Sequence, residues 1–172
     1  MLTPETLKRI MPLTRFADRF APLLEATCQE FDISTPERRA AFLSQLAHES
    51  AQMNTTREYA SGEMYEGRED LGNTHEGDGR RFRGRGLIQL TGRANYTRYS
   101  QWAGIDYVRN PEWLERPEDA CRVSGWFWDS HGLNELADEG DFKKITRRIN
   151  GGTNGWADRE QFWQRAKIAL GC

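Results

Sequence analysis

Apolar positions recur at helical rather than alternating spacing along most of this 172-residue chain. Phe16, Phe20, Leu23, Leu24 and Phe31 mark the buried side of a helix predicted over about Arg15–Phe31. Phe42, Leu43, Leu46, Ala47 and Met53 mark the next, which starts at the capping-box-like Ser34-Thr35-Pro36-Glu37. Before both, Thr3-Pro4-Glu5 offers an N-cap, a first-turn proline and an early acid for a short helix to about Met11. Later, Thr91 is placed to cap a helix through about Trp102, and Arg116-Pro117-Glu118-Asp119 opens one that stops at Gly132. Asp141 caps another to Ile149, Asn150-Gly151-Gly152 reads as its left-handed stop, and a last helix covers about Trp156–Leu170.

The pattern breaks between Ala60 and Gly86, where seven glycines lie among many charges. That stretch reads as irregular loop or short β structure, the rim of a cleft. The expected fold is therefore mainly α: a lysozyme-like α+β arrangement with a small glycine-rich loop or β lobe beside a helical lobe. No linker, repeat or low-complexity run divides the chain, so residues 1–172 are expected to form one domain, with leader helices over 1–35 packed on it.

One position in the third helix is chemically out of place. Glu49 follows Leu46 by three residues and Phe42 by seven, which puts a carboxylate on the apolar face. Lost solvation keeps such a group protonated, as a general acid requires. A continuous helix would carry Glu58 roughly 13.5 Å further on and face it the other way. Asn54-Thr55-Thr56 form helix poorly, so the chain is expected to turn back there and bring Glu58 opposite Glu49. Two carboxyl groups in unlike surroundings are the minimum equipment of an inverting glycosidase. The competing reading makes Glu49 a core-edge carboxylate held by an arginine, and Glu63, Glu66 and Glu69 compete with Glu58 for the second role.

Composition narrows the classes. Six Trp and five Tyr suit either a core or sugar stacking. A net charge of −2 gives no global attraction to nucleic acid or anionic membranes. The start has neither a basic nor an apolar signal region and no stretch is long enough to span a bilayer, so the chain is expected to be made as a cytoplasmic protein without membrane insertion. Cys28, Cys121 and Cys172 are far apart and odd in number, which reads as reduced thiols.

Three other motifs carry weaker chemistry. His48-Glu49 begins H-E-x-x-H, but position 52 is Gln, and no metal site or other cofactor is expected. Gly84-Arg85-Gly86 lacks the third glycine and the strand of a dinucleotide loop. Arg80, Arg81, Arg83, Arg85, Arg93 and Arg98, interleaved with Phe82, Tyr96 and Tyr99, are the best case for a nucleic-acid surface. They run directly into apolar Leu87-Ile88-Gln89-Leu90, however, and are expected mostly to neutralise Glu63, Glu66, Glu69 and Asp70. Gln89, Thr91 and Asn95 are polar groups in apolar sequence that need partners, either backbone groups or sugar hydroxyls and a positioned water.

Several blocks together resemble glycoside hydrolase family 19, the chitinase family that includes many bacteriophage and prophage endolysins. They are Ala47-His48-Glu49-Ser50, Tyr65-Glu66-Gly67-Arg68 with Leu71-Gly72-Asn73, Phe82 through Tyr96 with its G-R-G-x-I-Q-L-T core, and Arg148 through Gly152 with Asp158-Arg159. The resemblance implies an inverting hydrolase with Glu49 as general acid, Glu58 as general base and Thr91 helping to hold the attacking water. It implies Gln89, Asn95 and Asn150 as substrate contacts, with Arg159 in the same set as the basic residue that supports the acidic pair. The chain lacks the extra loops and disulfides of plant-type members, and its compactness and leader resemble endolysins. The implied substrate is the β-1,4-linked glycan strand of peptidoglycan, cut by a monomer at the cell wall after a separate partner permeabilises the membrane. Chitin is the alternative substrate, and a non-catalytic glycan- or nucleic-acid-binding domain is the alternative of another class.

Overall fold

A computed structural model describes residues 1–172. Nine α-helices account for the regular structure: α1 Pro4–Ile10, α2 Ala17–Glu30, α3 Pro36–Glu49, α4 Asp78–Arg81, α5 Arg93–Ala103, α6 Pro117–Ser130, α7 Leu133–Asp138, α8 Phe142–Asn150 and α9 Trp156–Leu170. The expected caps explain several starts. Thr3 accepts from the Thr6 amide, Thr35 from Arg38 and Asp141 from Lys144, while prolines occupy the first positions of α1, α3 and α6. The short α7 was not expected.

α3 is the central helix. Every residue from Ala40 to Ala47 is buried, including Ser44 and Gln45. Its main partner is α9, and α1 packs against both α2 and α9 while α2 packs against α6. A single apolar cluster runs from Leu2 to Ala166, so the N-terminal helices share the core of the rest. Phe42 of α3 meets Trp128 of α6 edge-on, and the Trp128 indole donates to Asn134 Oδ1 at 2.9 Å.

Of the two readings offered for the glycine-rich lobe, loop or short β structure, the first holds, and the expected end of α3 needs correction. The glycine-rich lobe contains no strand: β pairing is limited to the isolated bridges Arg57–Arg85 and Arg85–Leu90, and the lobe is otherwise loop, 3-10 turns at Glu63–Tyr65 and Glu69–Leu71, and α4. Helix α3 ends at Glu49, not near Asn54. The Ser50 hydroxyl donates to the Leu46 carbonyl at 2.6 Å and accepts from the Met53 amide at 2.8 Å. Ala51, Gln52 and Met53 then adopt left-handed backbone at φ 49°, 60° and 61°. Three successive non-glycine residues in that region cost about 1 kcal/mol or more each, so neighbours must hold them. The segment before α2 does so: Gln52 Oε1 accepts from the Leu13 amide, while Asn54 accepts from the Arg15 amide and donates to the Leu13 carbonyl, at 2.9–3.0 Å.

Candidate active site

Glu49, the last residue of α3, and Glu58, past the left-handed turn, line one cleft of about 360 Å³ between the lobe and the helices. Leu71, Ile88, Leu90, Phe127 and Ile149 give it apolar walls, and Gln89, Thr91, Asn95, Asn150, Tyr65 and Arg68 supply polar groups. The rival acids are elsewhere. Glu63 pairs with Arg80, Glu66 accepts from the amides of Gly77 and Gly79, and Glu69 is exposed on its 3-10 turn.

The two carboxyl groups have unlike surroundings. Glu49 Oε1 accepts from Arg159 Nη2 at 2.7 Å. Arg159 is 1% exposed, and it also donates to Gln45 Oε1 at 2.6 Å and to the Asn154 carbonyl at 3.0 Å. Gln45 in turn donates to Thr146 Oγ1 at 2.9 Å, so α3, α8 and α9 meet in one buried polar chain behind Glu49. Because all of α3 is buried there, an apolar face does not single Glu49 out; it is the point where the helix emerges into the cleft. The arginine-held carboxylate and the cleft carboxylate prove to be the same residue.

Glu58 is held on the lobe side. Its amide donates to the Gly84 carbonyl at 3.0 Å, and Tyr65 donates its hydroxyl to Glu58 Oε2 at 3.0 Å. Oε1 is buried and has no hydrogen-bond partner in the protein. Burial, reinforced by the bond to Glu58, pushes the Tyr65 phenol up to about 12.

Gln89, Thr91, Asn95 and Asn150 reach the cleft with part of their capacity tied to the protein. Gln89, itself left-handed at φ 61°, donates to the Gly86 carbonyl at 3.0 Å within the tight turn that Arg85 and Leu90 close. Thr91 donates to the Gln89 carbonyl at 2.9 Å and is not the cap of α5, whose N-cap is Gly92. Asn95 donates to the Thr91 carbonyl at 2.8 Å, and Asn150 Oδ1 accepts from the Asn154 amide at 3.2 Å. These bonds fix each side chain and leave Gln89 Oε1 and Asn150 Nδ2 without a protein partner. Arg159, grouped with the substrate contacts as the basic residue that supports the acidic pair, is buried behind Glu49: it holds that carboxylate and does not itself line the cleft.

Of the arginine run only Arg85 is buried, and Arg80, Arg81 and Arg98 are exposed. Arg81 donates to the carbonyls of Val108 and Arg109, Arg85 pairs with Glu115 at 2.9 Å and Arg93 with Asp78 at 2.8 Å. Only the Arg80–Glu63 pair matches the expected neutralisation: Arg85 and Arg93 reach acids outside 63–70, and Arg81 and Arg98 bond groups that are not acids. His48 pairs with Asp158 at 2.7 Å, bridging α3 and α9. Cys28, Cys121 and Cys172 are free thiols. No helix is long and apolar enough to cross a membrane.

The chain is 39% identical over 112 residues to a glycosyl hydrolase family 19 domain-containing protein of Haemophilus influenzae, covering 64% of this chain and 54% of that one. An endochitinase of Arabidopsis thaliana is 33% identical over 132 residues, 74% of this chain and 45% of its own length. Superposition on chitinase C of Streptomyces griseus gives a TM-score of 0.81 at 19% identity, over 99% of this chain and 92% of that one. The chain is family 19-like. The class IV family 19 chitinase of Zea mays shares the fold, with a TM-score of 0.72 at 21% identity over 95% and 90% of the two chains. No family model matches this family 19-like chain, which spans about half the length of the Haemophilus and Arabidopsis relatives.

Tyr65, Arg68, Gly84 and Gln45 belong to the site and were not singled out by the sequence. Tyr65 and Arg68 lie in a motif block, but no residue pattern tied them to Glu58. A Cβ on Gly84 would meet the Glu58 carboxyl, and only the folded geometry reveals that.

Proposed function

We propose that the protein is a glycoside hydrolase that cleaves β-1,4 bonds of peptidoglycan strands by inversion, with Glu49 as general acid and Glu58 as general base. The observation that carries this is the placement of these two carboxyl groups, differently held, in one polar-lined cleft. Glu58 takes a proton from water, the water oxygen bonds to the anomeric carbon, and the glycosidic C–O bond breaks as Glu49 protonates the leaving oxygen. Arg159 holds one oxygen of Glu49, so the proton to be delivered belongs on Oε2. Thr91, Gln89, Asn95 and Asn150 are the groups placed to hold the water and the sugar chain.

Peptidoglycan is favoured over chitin by the resemblance of the leader helices to those of small endolysins. Chitin is the second reading, favoured by the chitinases to which the chain is similar in sequence and fold. The proposed setting is the periplasmic wall, reached with a separate membrane-permeabilising partner.

The test is digestion of bacterial sacculi and of chitin by the purified protein and by Glu49→Ala, with mass spectrometry of the new reducing ends. N-acetylmuramic acid ends lost in the variant establish a muramidase, and N-acetylglucosamine ends from sacculi a glucosaminidase. Soluble oligomers from chitin alone move the assignment to chitinase. No product from either polymer leaves a glycan-binding module and overturns the catalytic reading.

A further inference from the structure

Tyr65 is the only side chain that hydrogen-bonds the Glu58 carboxyl group, and it is itself anchored at three points. Its carbonyl accepts from Asn73 Nδ2 at 2.9 Å, its amide closes the 3-10 turn onto the Gly62 carbonyl, and the Arg68 guanidinium lies 5.9 Å from its ring centre. Arg68 is in turn clamped by Asp70 through two bonds. The hydroxyl is therefore aimed by the lobe rather than by Glu58.

We propose that Tyr65 is a positioning residue for the hydrolytic step: by donating to Glu58 Oε2 it fixes the rotation of the carboxyl group at the cleft. Oε1 is buried and has no protein partner, so the bond from Tyr65 is the one side-chain contact that sets this rotation. Because burial and the bond to Glu58 hold the phenol proton up to about 12, the O–H stays a donor throughout the range in which the two carboxyl groups work. The inference rests on Glu58 being the general base.

Tyr65→Phe removes the hydroxyl and keeps the ring under Arg68. The charged and titratable groups around Glu58 are Glu49 across the cleft, Arg68 on the lobe, and Tyr96 with the Arg85–Glu115 pair behind Gly84, and none is altered by this change. A bond donated to a carboxyl oxygen perturbs the carboxyl carbon, so its loss moves the Glu58 carbon-13 signal. The experiment is carbon-13 NMR of glutamate-labelled protein, with the Glu58 carboxyl signal assigned through Glu58→Gln, together with kcat and KM on whichever polymer the wild type cleaves. The expected result is a displaced Glu58 carboxyl signal, with kcat lowered about tenfold and KM within about twofold. An unmoved signal overturns the proposal even where the rate falls, because a purely structural role predicts that pattern. An unchanged kcat in an active enzyme overturns it as well. A displaced signal in a chain inactive on both polymers keeps the contact and instead overturns the hydrolase reading. Should Tyr65→Phe not fold, Glu58→Gln tests the contact from the other side: the Tyr65 phenol titration must fall from its wild-type position, and an unchanged one overturns the proposal.

Discussion

Gly84 and Glu58 compete for one space: a Cβ on Gly84 would lie 2.8 Å from Glu58 Oε2 and 3.0 Å from Gln89 Oε1. Real Cβ atoms do not approach so closely, so the carboxyl group and the amide reach their places because residue 84 has no side chain. Gly84→Ala is expected to displace both while leaving the helical core intact. A displacement of less than 1 Å at the reacting groups lowers kcat/KM by about 10- to 100-fold. Steady-state kinetics beside a thermal melt checks this; a variant with wild-type kcat/KM would show that the Glu58 position is not fixed from behind.

Arg159 is the only cation that touches Glu49, and it is 1% exposed. Replacing it by Met leaves Glu49 and Gln45 facing an apolar side chain. Breaking a buried pair from one side costs about 3 kcal/mol. For a chain of this size that lowers Tm by about 9 °C. Calorimetry at neutral pH measures it, and a fall of under 2 °C would mean that the pair contributes little net stability.

Asp78 gives the acid side of the stability profile. Burial alone would raise its pKa, but two bonds from Arg93, the His75 amide and the nearby positive charges outweigh burial and lower it. A carboxyl group whose folded pKa lies below its unfolded value stabilises in full above the unfolded value, about pH 4, and loses that contribution as pH falls through the folded one. Wild-type Tm should therefore drop as pH falls from about 4 toward 2, and Asp78→Asn, less stable at neutral pH, should show a flatter drop over the same window. Parallel curves for the two proteins would assign the acid sensitivity to other groups.

The thiols give a test of packing. Cys28 and Cys121 are buried, and burial pushes the Cys28 thiol up to about 12 and the Cys121 thiol higher. Cys172 is exposed. A thiol reagent at neutral pH should label one cysteine per native chain and all three after denaturation. Rapid labelling of Cys28 in the native state would mean that α2 opens from α6.

Most helix starts were legible because their signals are local. Thr35 and Asp141 cap the helices they announce, and Gly151 ends α8 in left-handed backbone as Asn150-Gly151-Gly152 implied. The end of α3 was not legible, because Ala51, Gln52 and Met53 carry no preference for the left-handed region they occupy; contacts with Leu13 and Arg15 impose it. The same holds for the site. Glu49 and the block Gln89 to Asn95 stood out as polar groups in apolar sequence, whereas Glu58 was one of several equivalent acids until the turn placed it. Arg159 was visible only through a motif, since its burial behind Glu49 is a property of how α9 meets α3.

The left-handed turn between the two carboxyl groups sets a lower bound on chain length. Its conformation is unfavourable in isolation and is kept by amide bonds to residues 13 and 15, so the Glu49-to-Glu58 spacing depends on a segment more than thirty positions upstream. A fragment beginning at α3 would contain every side chain that lines the cleft and still lack the contacts that hold the two acids in register. For this protein the smallest working unit has to include the stretch before α2, even though no residue of that stretch faces the cleft.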